Sequence, residues 1–312
     1  MKADEVRKVG VVGCGVMGAG IVEVCSRAGL DVLFVEADPE LVERGRRQIE
    51  ASTLRAVERG KLDERQRTEE LTRIAGTTII DDMADRDLVI EAATEHYDTK
   101  REVFRRLDEV TRPEVVLASN TSSIPIVDLA AVTRRPAQVV GMHFFNPAPV
   151  MGLIEVVRAI TTSDETVEFS RGFGAVLGKT TVLSKDRAGF IVNMLLIPYL
   201  NGAIRMLDEG FATREDIDTA VSLGLAHPMG PLQLLDLIGL DTALFVANVL
   251  FEEFKEPLFA PPPLLKRMVT AGRLGRKSGS GFLRLHVMSR SFLRLVGRSL
   301  TSPRAPGRTP GV

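Results

Sequence analysis

Short apolar runs alternate with longer segments of mixed apolar and charged residues through the first 187 positions of the chain. Such runs, rich in valine, isoleucine and leucine, are typical of strands that are buried on both faces of a parallel sheet. We predict strands at residues 9–12, 31–35, 77–80, 88–92, 115–118, 139–142 and 180–183, with one more around Glu155. Their alternation with helical patterns predicts an α/β fold with a doubly wound sheet of about eight strands.

The strand signal ends near Arg187, and apolar residues then recur at helical spacing. A long helix is predicted over residues 189–210, kinked at Pro198, with further helices at 214–223, 231–238, 241–254 and 264–271. Asn193 places an amide in the apolar seam of the first helix, where it either fixes helix register or faces a ligand. We therefore predict domains at 1–187 and 188–282, the second all-helical and of a kind that commonly dimerises.

A glycine-rich turn joins the first predicted strand to the first predicted helix. Gly13, Gly15 and Gly18, with Val16 and Met17 between the last two, form a GxGxxG motif in the context that dinucleotide binding requires. The glycines permit a tight turn, a close approach of the backbone to a pyrophosphate, and close packing of helix on strand. Glu36, at the end of the second strand, can accept both ribose hydroxyls and would repel a 2′-phosphate, which favours NAD over NADP.

One histidine and one carboxylate flank an Asn-Pro turn between two apolar strands. His143 directly follows the predicted strand 139–142, so its imidazole should emerge at the carboxyl edge of the sheet, where ligands bind. Glu155, twelve residues later, could return beside the ring, fix its tautomer and stabilise the imidazolium. The alternative is a core histidine at a strand end with an unrelated surface glutamate.

Polar side chains follow two other predicted strands at the same edge of the sheet. Glu95 and Lys100 come just after strand 88–92 and should face the same crevice as the glycine turn. The segment 119–123 reads Ser-Asn-Thr-Ser-Ser and includes Asn120 and Ser122. Part of it can cap a helix, but its hydroxyls and amide exceed what one cap requires. The surplus could hold a substrate hydroxyl and a nicotinamide carboxamide.

The composition limits the class of protein and its compartment. With 312 residues, 45% hydrophobic and 26% charged, the chain is typical of a soluble globular protein of about two domains. Two cysteines, Cys14 and Cys25, without a metal-ligand pattern indicate a reducing compartment, so we expect a cytoplasmic protein without a metal site. No stretch is apolar enough to span a membrane. Up to Glu256 the net charge is −12, which gives no reason to expect nucleic-acid binding.

Seven segments together resemble the short-chain L-3-hydroxyacyl-CoA dehydrogenases, and most closely the bacterial 3-hydroxybutyryl-CoA dehydrogenases. They are VGVVGCGVMGAGI, VIEAATE, LASNTSSIPI, GMHFFNPAPVMGLIEVV, DRAGFIVNMLLIPYLNGAIRML, HPMGPLQLLDLIGLD and LGRKSGSGF. The resemblance implies a Rossmann-type domain followed by an all-α dimerisation domain. It implies oxidation of a (3S)-3-hydroxyacyl-CoA to the 3-ketoacyl-CoA with NAD, by a homodimer.

The resemblance also assigns roles by matching position. His143 would be the general base and Glu155 its orienting partner, while Ser122 and Asn193 would bind the reacting oxygen and the thioester. The residues that would line the cofactor and substrate site are Glu95, Lys100, Asn120, Asn146 and Lys277. An acyl-carrier-protein thioester or a free hydroxy acid remain alternative substrates. A non-catalytic NAD-binding protein is a further alternative, which the complete set of polar residues disfavours.

The chain departs from the family pattern after Phe282. The family usually continues with an aromatic residue and stops soon after, whereas this chain continues with Leu283 for thirty residues. No acidic residue follows Glu256, and the last part is rich in Arg, Ser and Pro, with a net charge of +11 from residue 257 onward. We predict that 283–312 is an atypical, disordered basic tail or the product of an altered reading frame. A basic amphipathic helix, with Arg290, Arg294 and Arg298 on one face, is the alternative.

Overall fold

The computed structural model describes residues 1–283, and the predicted tail from Arg284 onward lies outside the described residues. The described residues form two compact units, which divide between Leu195 and Leu196. The domain boundary that we predict from the sequence, between residues 187 and 188, stays a prediction.

The first unit is built on a sheet of eight strands in the order β3-β2-β1-β4-β5-β6-β7-β8. The strands are β1 Lys8–Val12, β2 Asp31–Val35, β3 Ile74–Thr77, β4 Leu88–Glu91, β5 Val116–Ser119, β6 Val139–Phe144, β7 Leu153–Arg158 and β8 Thr180–Lys185. Every neighbouring pair is parallel except β6 and β7, which are antiparallel. The predicted eight-stranded α/β fold is confirmed.

Helices flank this sheet, and apolar residues on both sides of it form two buried clusters. The helices of the first unit are α1 Val16–Arg27, α2 Pro39–Glu58, α3 Glu64–Thr72, α4 Tyr97–Val110, α5 Ile126–Ala130 and α6 Asp164–Val176. The start of α2 shows why these segments become helical: Asp38 caps it by accepting a hydrogen bond from Leu41 N at 2.8 Å, and Pro39 occupies the first position.

The third strand lies earlier in the chain than we predict. It spans Ile74–Thr77, and the apolar residues that follow lead into a 3₁₀ helix, Ile80–Asp85. Gly76 obscures the strand pattern, because a glycine carries no side chain and is uncommon in strands. A Cβ atom at Gly76 would come within 2.6 Å of the Phe34 ring, so the missing side chain allows β3 to pack closely on its neighbours.

The helices of the second unit are α7 Val192–Asp208, whose first turn belongs to the first unit, α8 Arg214–Gly224, α9 Pro231–Ile238, α10 Leu240–Phe254 and α11 Pro263–Thr270. Their apolar faces form a core of their own. Within residues 1–283 no single helix is long and apolar enough to cross a membrane, although α9 and α10, bent by 97°, meet the length and composition criteria as a pair.

The long helix α7 starts three residues later than predicted, at Val192 instead of Gly189. Gly189 and Phe190 both have positive φ angles, of 79° and 47°, which a right-handed helix cannot contain. Asn193 therefore lies in the first turn of α7, at helical spacing from the buried residues Ile197, Leu200 and Ile204. Its predicted role, in helix register or towards a ligand, stays a prediction.

Candidate active site

His143 and Glu155 face each other across the antiparallel pair of strands. They are directly paired in the register of β6 and β7, and the imidazole Nδ1 lies 2.7 Å from the Glu155 Oε2 atom. The strand β6 ends at Phe144, two residues later than predicted. His143 is therefore the fifth residue of the strand, and the prediction that it follows the strand is wrong. Only 7% of His143 and none of Glu155 is exposed, so the pair is shielded from solvent.

The second oxygen of Glu155 holds the start of α7. Its Oε1 atom accepts hydrogen bonds from Ile191 N at 3.0 Å and Val192 N at 2.9 Å. These backbone groups have no partner within the helix, and the helix dipole favours a negative charge at this end. One buried carboxylate thus joins the histidine to the helix that carries Asn193.

Backbone strain accompanies this capping arrangement. Phe190 adopts φ 47°, a left-handed conformation that costs a residue with a side chain about 1–2 kcal/mol. Phe190 directly precedes the two residues whose N–H groups donate hydrogen bonds to Glu155. Its ring lies edge-on to the His143 ring, with the ring centroids 5.5 Å apart. Phe145 flanks the same imidazole at 4.7 Å.

The contacts of His143 indicate its tautomer. A proton on Nδ1 donates to Glu155, which leaves the Nε2 lone pair free to accept a proton from a bound molecule. Among residues 1–283, Nε2 has no hydrogen-bond partner. The assignment follows from the hydrogen-bond network, as is usual for histidine tautomers.

The serine-rich segment after β5 is arranged around Glu95. The Glu95 Oε1 atom accepts hydrogen bonds from Ser122 N at 3.1 Å, Ser123 Oγ at 2.7 Å and Thr121 Oγ1 at 2.5 Å. Burial works to raise the pKa of Glu95, but Lys100 and these two hydroxyls outweigh it, so the pKa lies below its ordinary value. Ser122 Oγ has no hydrogen-bond partner in the described part of the chain and is available to a ligand.

Asn120 connects this segment to the histidine strand. Its Oδ1 atom accepts a hydrogen bond from Phe144 N at 2.8 Å, next to His143. Its backbone N donates to the Glu91 carbonyl at 2.8 Å. The amide oxygen that we assign to cofactor or substrate therefore already has a partner within the protein.

Lys100 is buried, with 1% of its surface exposed, and is surrounded by acceptors. Its Nζ atom lies 2.6 Å from Glu91 Oε1, 3.3 Å from Glu95 Oε2 and 3.3 Å from the Ala93 carbonyl. Three acceptors match the three N–H groups of an ammonium. Glu91 is not among the residues predicted from the sequence, although an acid that ends an apolar strand nine residues before a lysine is a usable signal.

The glycine turn has the shape that a dinucleotide requires. A Cβ at Gly18 would lie 1.9 Å from the Gly13 carbonyl oxygen, and one at Gly13, where φ is 88°, would lie 2.7 Å from Ala93. At Gly15, by contrast, no atom of residues 1–283 other than the glycine and its chain neighbours lies within 4 Å of such a Cβ. Val16 is exposed and Met17 half-buried, so open space lies over the second glycine and the start of α1.

Glu36 extends from the end of β2 to this turn. Its Oε1 atom accepts a hydrogen bond from Cys14 N at 2.5 Å. Burial, together with the Glu36 charge, raises the pKa of the Cys14 thiol to about 12, so the thiol stays protonated and unreactive.

The two remaining predicted residues, Asn146 and Lys277, take part in none of the contacts given above. Asn146 is exposed in the turn after β6. Lys277 belongs to the second unit, where it forms an ion pair with Asp241 at 2.5 Å.

Two family models together match most of the chain. Residues 8–187 match the NAD binding domain of 3-hydroxyacyl-CoA dehydrogenase, and residues 189–285 match its C-terminal domain. The chain belongs to the 3-hydroxyacyl-CoA dehydrogenase family. The predictions of this family, of NAD as cofactor and of a dehydrogenase are confirmed.

Individual relatives cover almost the whole described chain. A Mycobacterium tuberculosis 3-hydroxybutyryl-CoA dehydrogenase is 53% identical over 282 residues, which are 90% of this chain and 99% of the relative. A probable 3-hydroxybutyryl-CoA dehydrogenase from Deinococcus radiodurans is 47% identical over 275 residues, 88% of this chain and 99% of the relative. The crystal structure of (S)-3-hydroxybutyryl-CoA dehydrogenase from Ralstonia eutropha has a TM-score of 0.84 at 45% identity and covers 89% of this chain and 98% of its own.

Proposed function

We propose that this dehydrogenase interconverts a (3S)-3-hydroxyacyl-CoA, with 3-hydroxybutyryl-CoA as the first candidate, and the corresponding 3-ketoacyl-CoA. The observation that carries the proposal is the buried His143–Glu155 pair, in which Nδ1 is held at 2.7 Å. Nε2 is left without a protein partner in the described chain. A module that only binds a dinucleotide needs no such base.

In the proposed oxidation, His143 Nε2 accepts the proton of the substrate 3-hydroxyl. The C3–H bond breaks as a hydride leaves, and the electron pair of the O–H bond forms the ketone. NAD, when bound, supplies the hydride acceptor. Glu155 stabilises the imidazolium, and in the reverse direction this imidazolium returns its proton to the developing alkoxide.

Ser122 and Asn193 are proposed to donate to the reacting oxygen and the thioester. Their side chains have no hydrogen-bond partner among the residues that the structure describes, and each lies on a segment fixed by a glutamate. Donors fixed in advance stabilise developing negative charge without reorganising.

The remaining contacts to the cofactor and substrate are proposed as follows. The open space at Gly15 would receive the pyrophosphate, and the Oε2 atom of Glu36 would accept from the adenosine ribose. The other residues that we assign to this site are Gly13, Val16, Met17, Gly18, Glu95, Lys100, Asn120, Asn146 and Lys277.

We also propose a cytoplasmic homodimer. Large apolar side chains on the second unit, among them Phe211, Leu223 and Leu225, are between 61% and 81% exposed in the single chain. Exposed apolar residues of this size mark interaction surfaces when they are contiguous.

The test is NADH oxidation by the purified full-length chain with acetoacetyl-CoA, beside free acetoacetate and acetoacetyl-acyl carrier protein. We expect turnover with the CoA thioester and preference for NADH over NADPH. Turnover only with the carrier-protein thioester, or only with the free acid, would show that this compound and not the CoA thioester is the substrate. NADH binding without turnover on any of the three would contradict the dehydrogenase activity.

A further inference from the structure

Glu91 ends β4 with a carboxylate that is completely buried and has all its hydrogen bonds inside the protein. Oε1 lies 2.6 Å from Lys100 Nζ and 2.7 Å from Ala93 N, and Oε2 accepts from Ser119 Oγ at 2.6 Å. A buried charge is unfavourable unless it is paired and hydrogen-bonded, so this carboxylate holds its neighbours in one fixed geometry.

Two separate routes lead from these oxygens to the segment that carries Ser122. The first passes from Oε1 through Lys100 Nζ to Glu95, whose other oxygen accepts from Ser122 N at 3.1 Å. The second passes from Oε2 through Ser119 Oγ, which accepts from Thr121 N at 3.2 Å.

A third contact arises from the backbone of the same residue. The Glu91 carbonyl accepts from Asn120 N, and Asn120 Oδ1 in turn accepts from Phe144 N beside His143. Glu91 is therefore connected both to the backbone of the segment that carries Ser122 and to the strand that carries the base.

We propose that Glu91 is a positioning residue for the dehydrogenase reaction, acting through Lys100, Glu95 and Ser119 to fix Ser122 relative to His143. It contacts neither substrate nor cofactor in this role. The inference rests on the proposed function, because it assigns Ser122 to the reacting oxygen.

A carboxylate is needed at this position for a specific reason. Gln has one acceptor oxygen instead of two, so it cannot accept from Ala93 N and Ser119 Oγ with separate oxygens while also neutralising Lys100. In the Glu91→Gln variant the lysine has only Glu95 as a charged partner. We expect Lys100 and Glu95 to move together and the Ser122 segment to shift with them.

The experiment compares Glu91→Gln, Ser119→Ala and wild type, with Glu102→Gln as the matched control. Glu102 lies on the same helix as Lys100, but it is exposed and pairs with Arg105 at the surface. Steady-state kinetics with acetoacetyl-CoA, NADH binding by fluorescence and thermal melting are measured for each variant.

Misplacement of a reacting group by about 1 Å costs roughly 10²-fold in rate, so we expect kcat of Glu91→Gln to fall about 10²-fold. We expect Ser119→Ala, which cuts only the second route, to lose about tenfold. In Glu91→Gln, KM for the thioester and the Kd for NADH should change by a smaller factor than kcat, because the Ser122 contact is made in the transition state, whereas Lys100 and Glu95 contribute to binding. Glu102→Gln should match wild type.

An unchanged kcat in Glu91→Gln, or equal losses in kcat and in both affinities, would overturn the inference and leave a structural role only. If Glu91→Gln does not fold, Ser119→Ala decides: a lowered kcat with unchanged KM supports the inference, and an unchanged kcat rejects it. A wild-type protein inactive on every thioester would instead remove the proposed function, and this inference with it.

Discussion

The two halves of the sheet in the first unit differ in what they present to a ligand: open backbone in one half and fixed polar side chains in the other. Around β1, β2 and β4 the chain offers backbone and open space, as at Gly15, where a Cβ would meet no atom of the described residues within 4 Å apart from its own chain neighbours. Around β6 and β7 it offers a pair of side chains fixed by strand register, His143 and Glu155. The first half lacks side chains where a ligand must approach, and the second half depends on two particular ones.

This difference predicts different consequences of substitution. Adding atoms to the glycine turn should weaken binding of the dinucleotide and leave the chemistry intact once cofactor saturates. Changing the polar pair should remove turnover and leave binding intact. The Glu91 contacts lie between the two halves, since β4 and β5 are neighbours at the middle of the sheet.

The largest effect is expected for Glu155→Gln. The glutamine has a single acceptor oxygen, while His143 Nδ1 and the N–H groups of Ile191 and Val192 all donate to the carboxylate. If that oxygen accepts from the helix, the amide NH₂ donates to Nδ1 and the proton moves to Nε2, which is the tautomer that cannot act as base. We expect kcat to fall by about 10⁴-fold, as when an orienting aspartate becomes asparagine in a catalytic triad.

Stopped-flow reduction of acetoacetyl-CoA checks this, with NADH titration beside it. Glu168→Gln is the control, because Glu168 is an exposed residue of α6 whose Oε1 atom lies 3.6 Å from Arg171 Nη1 at the surface of the same helix. A variant that loses NADH affinity as much as turnover would contradict the separation between the two halves.

A smaller effect is expected in the glycine turn, where two alanine substitutions should behave differently. Gly15→Ala should fold normally and weaken NADH binding at least about tenfold, the equivalent of 1.4 kcal/mol, because its methyl group occupies space left for the pyrophosphate. Gly18→Ala places a methyl 1.9 Å from the Gly13 carbonyl oxygen and should cost about 1–3 kcal/mol of folding stability.

Fluorescence titration and thermal melting of both variants distinguish the two expectations. Gly15→Ala should have the wild-type melting temperature and a near-normal kcat at saturating NADH. Equal destabilisation of the two variants would show that the space over Gly15 is not free for a ligand.

The smallest effect concerns the pH dependence of stability. The folded pKa of Glu95 lies below the ordinary value of 4.5, since Lys100 and two hydroxyls outweigh the effect of burial. A lowered folded pKa stabilises the protein above the unfolded value, and this contribution is lost as pH falls through the folded pKa.

Melting curves from pH 7 to pH 3 for wild type and Glu95→Gln measure this contribution. We expect wild type to melt higher at neutral pH, by a few degrees, and the difference to shrink steadily below about pH 4.5. A difference that is constant over this range would mean that the Glu95 charge contributes nothing to stability.

Sequence reasoning recovers the parts of this site that depend on local pattern. The glycines and Glu36 follow from one strand-turn-helix-strand segment, and the return of Glu155 to His143 follows from two apolar strands around one turn. The tautomer and the strand register are consistent with that expectation.

The parts that sequence reasoning misses depend on contacts distant in the chain or on backbone conformation. The role that we propose for Glu91 depends on its hydrogen bond with Ser119, which lies 28 residues away along the chain. Phe190 adopts a positive φ angle that no residue pattern marks, since only glycine takes it without cost. That angle displaces the start of α7 and so places Asn193.

Glu155 also bears on how relatives of this protein are interpreted. Because its two oxygens serve the imidazole and the helix start separately, selection for a well-formed α7 would keep this glutamate even in a descendant that no longer catalyses anything. Retention of the glutamate alone therefore says little about activity. The Nε2 atom of His143 has no hydrogen-bond partner in the described chain. Substitution of His143 would therefore indicate that a descendant is inactive.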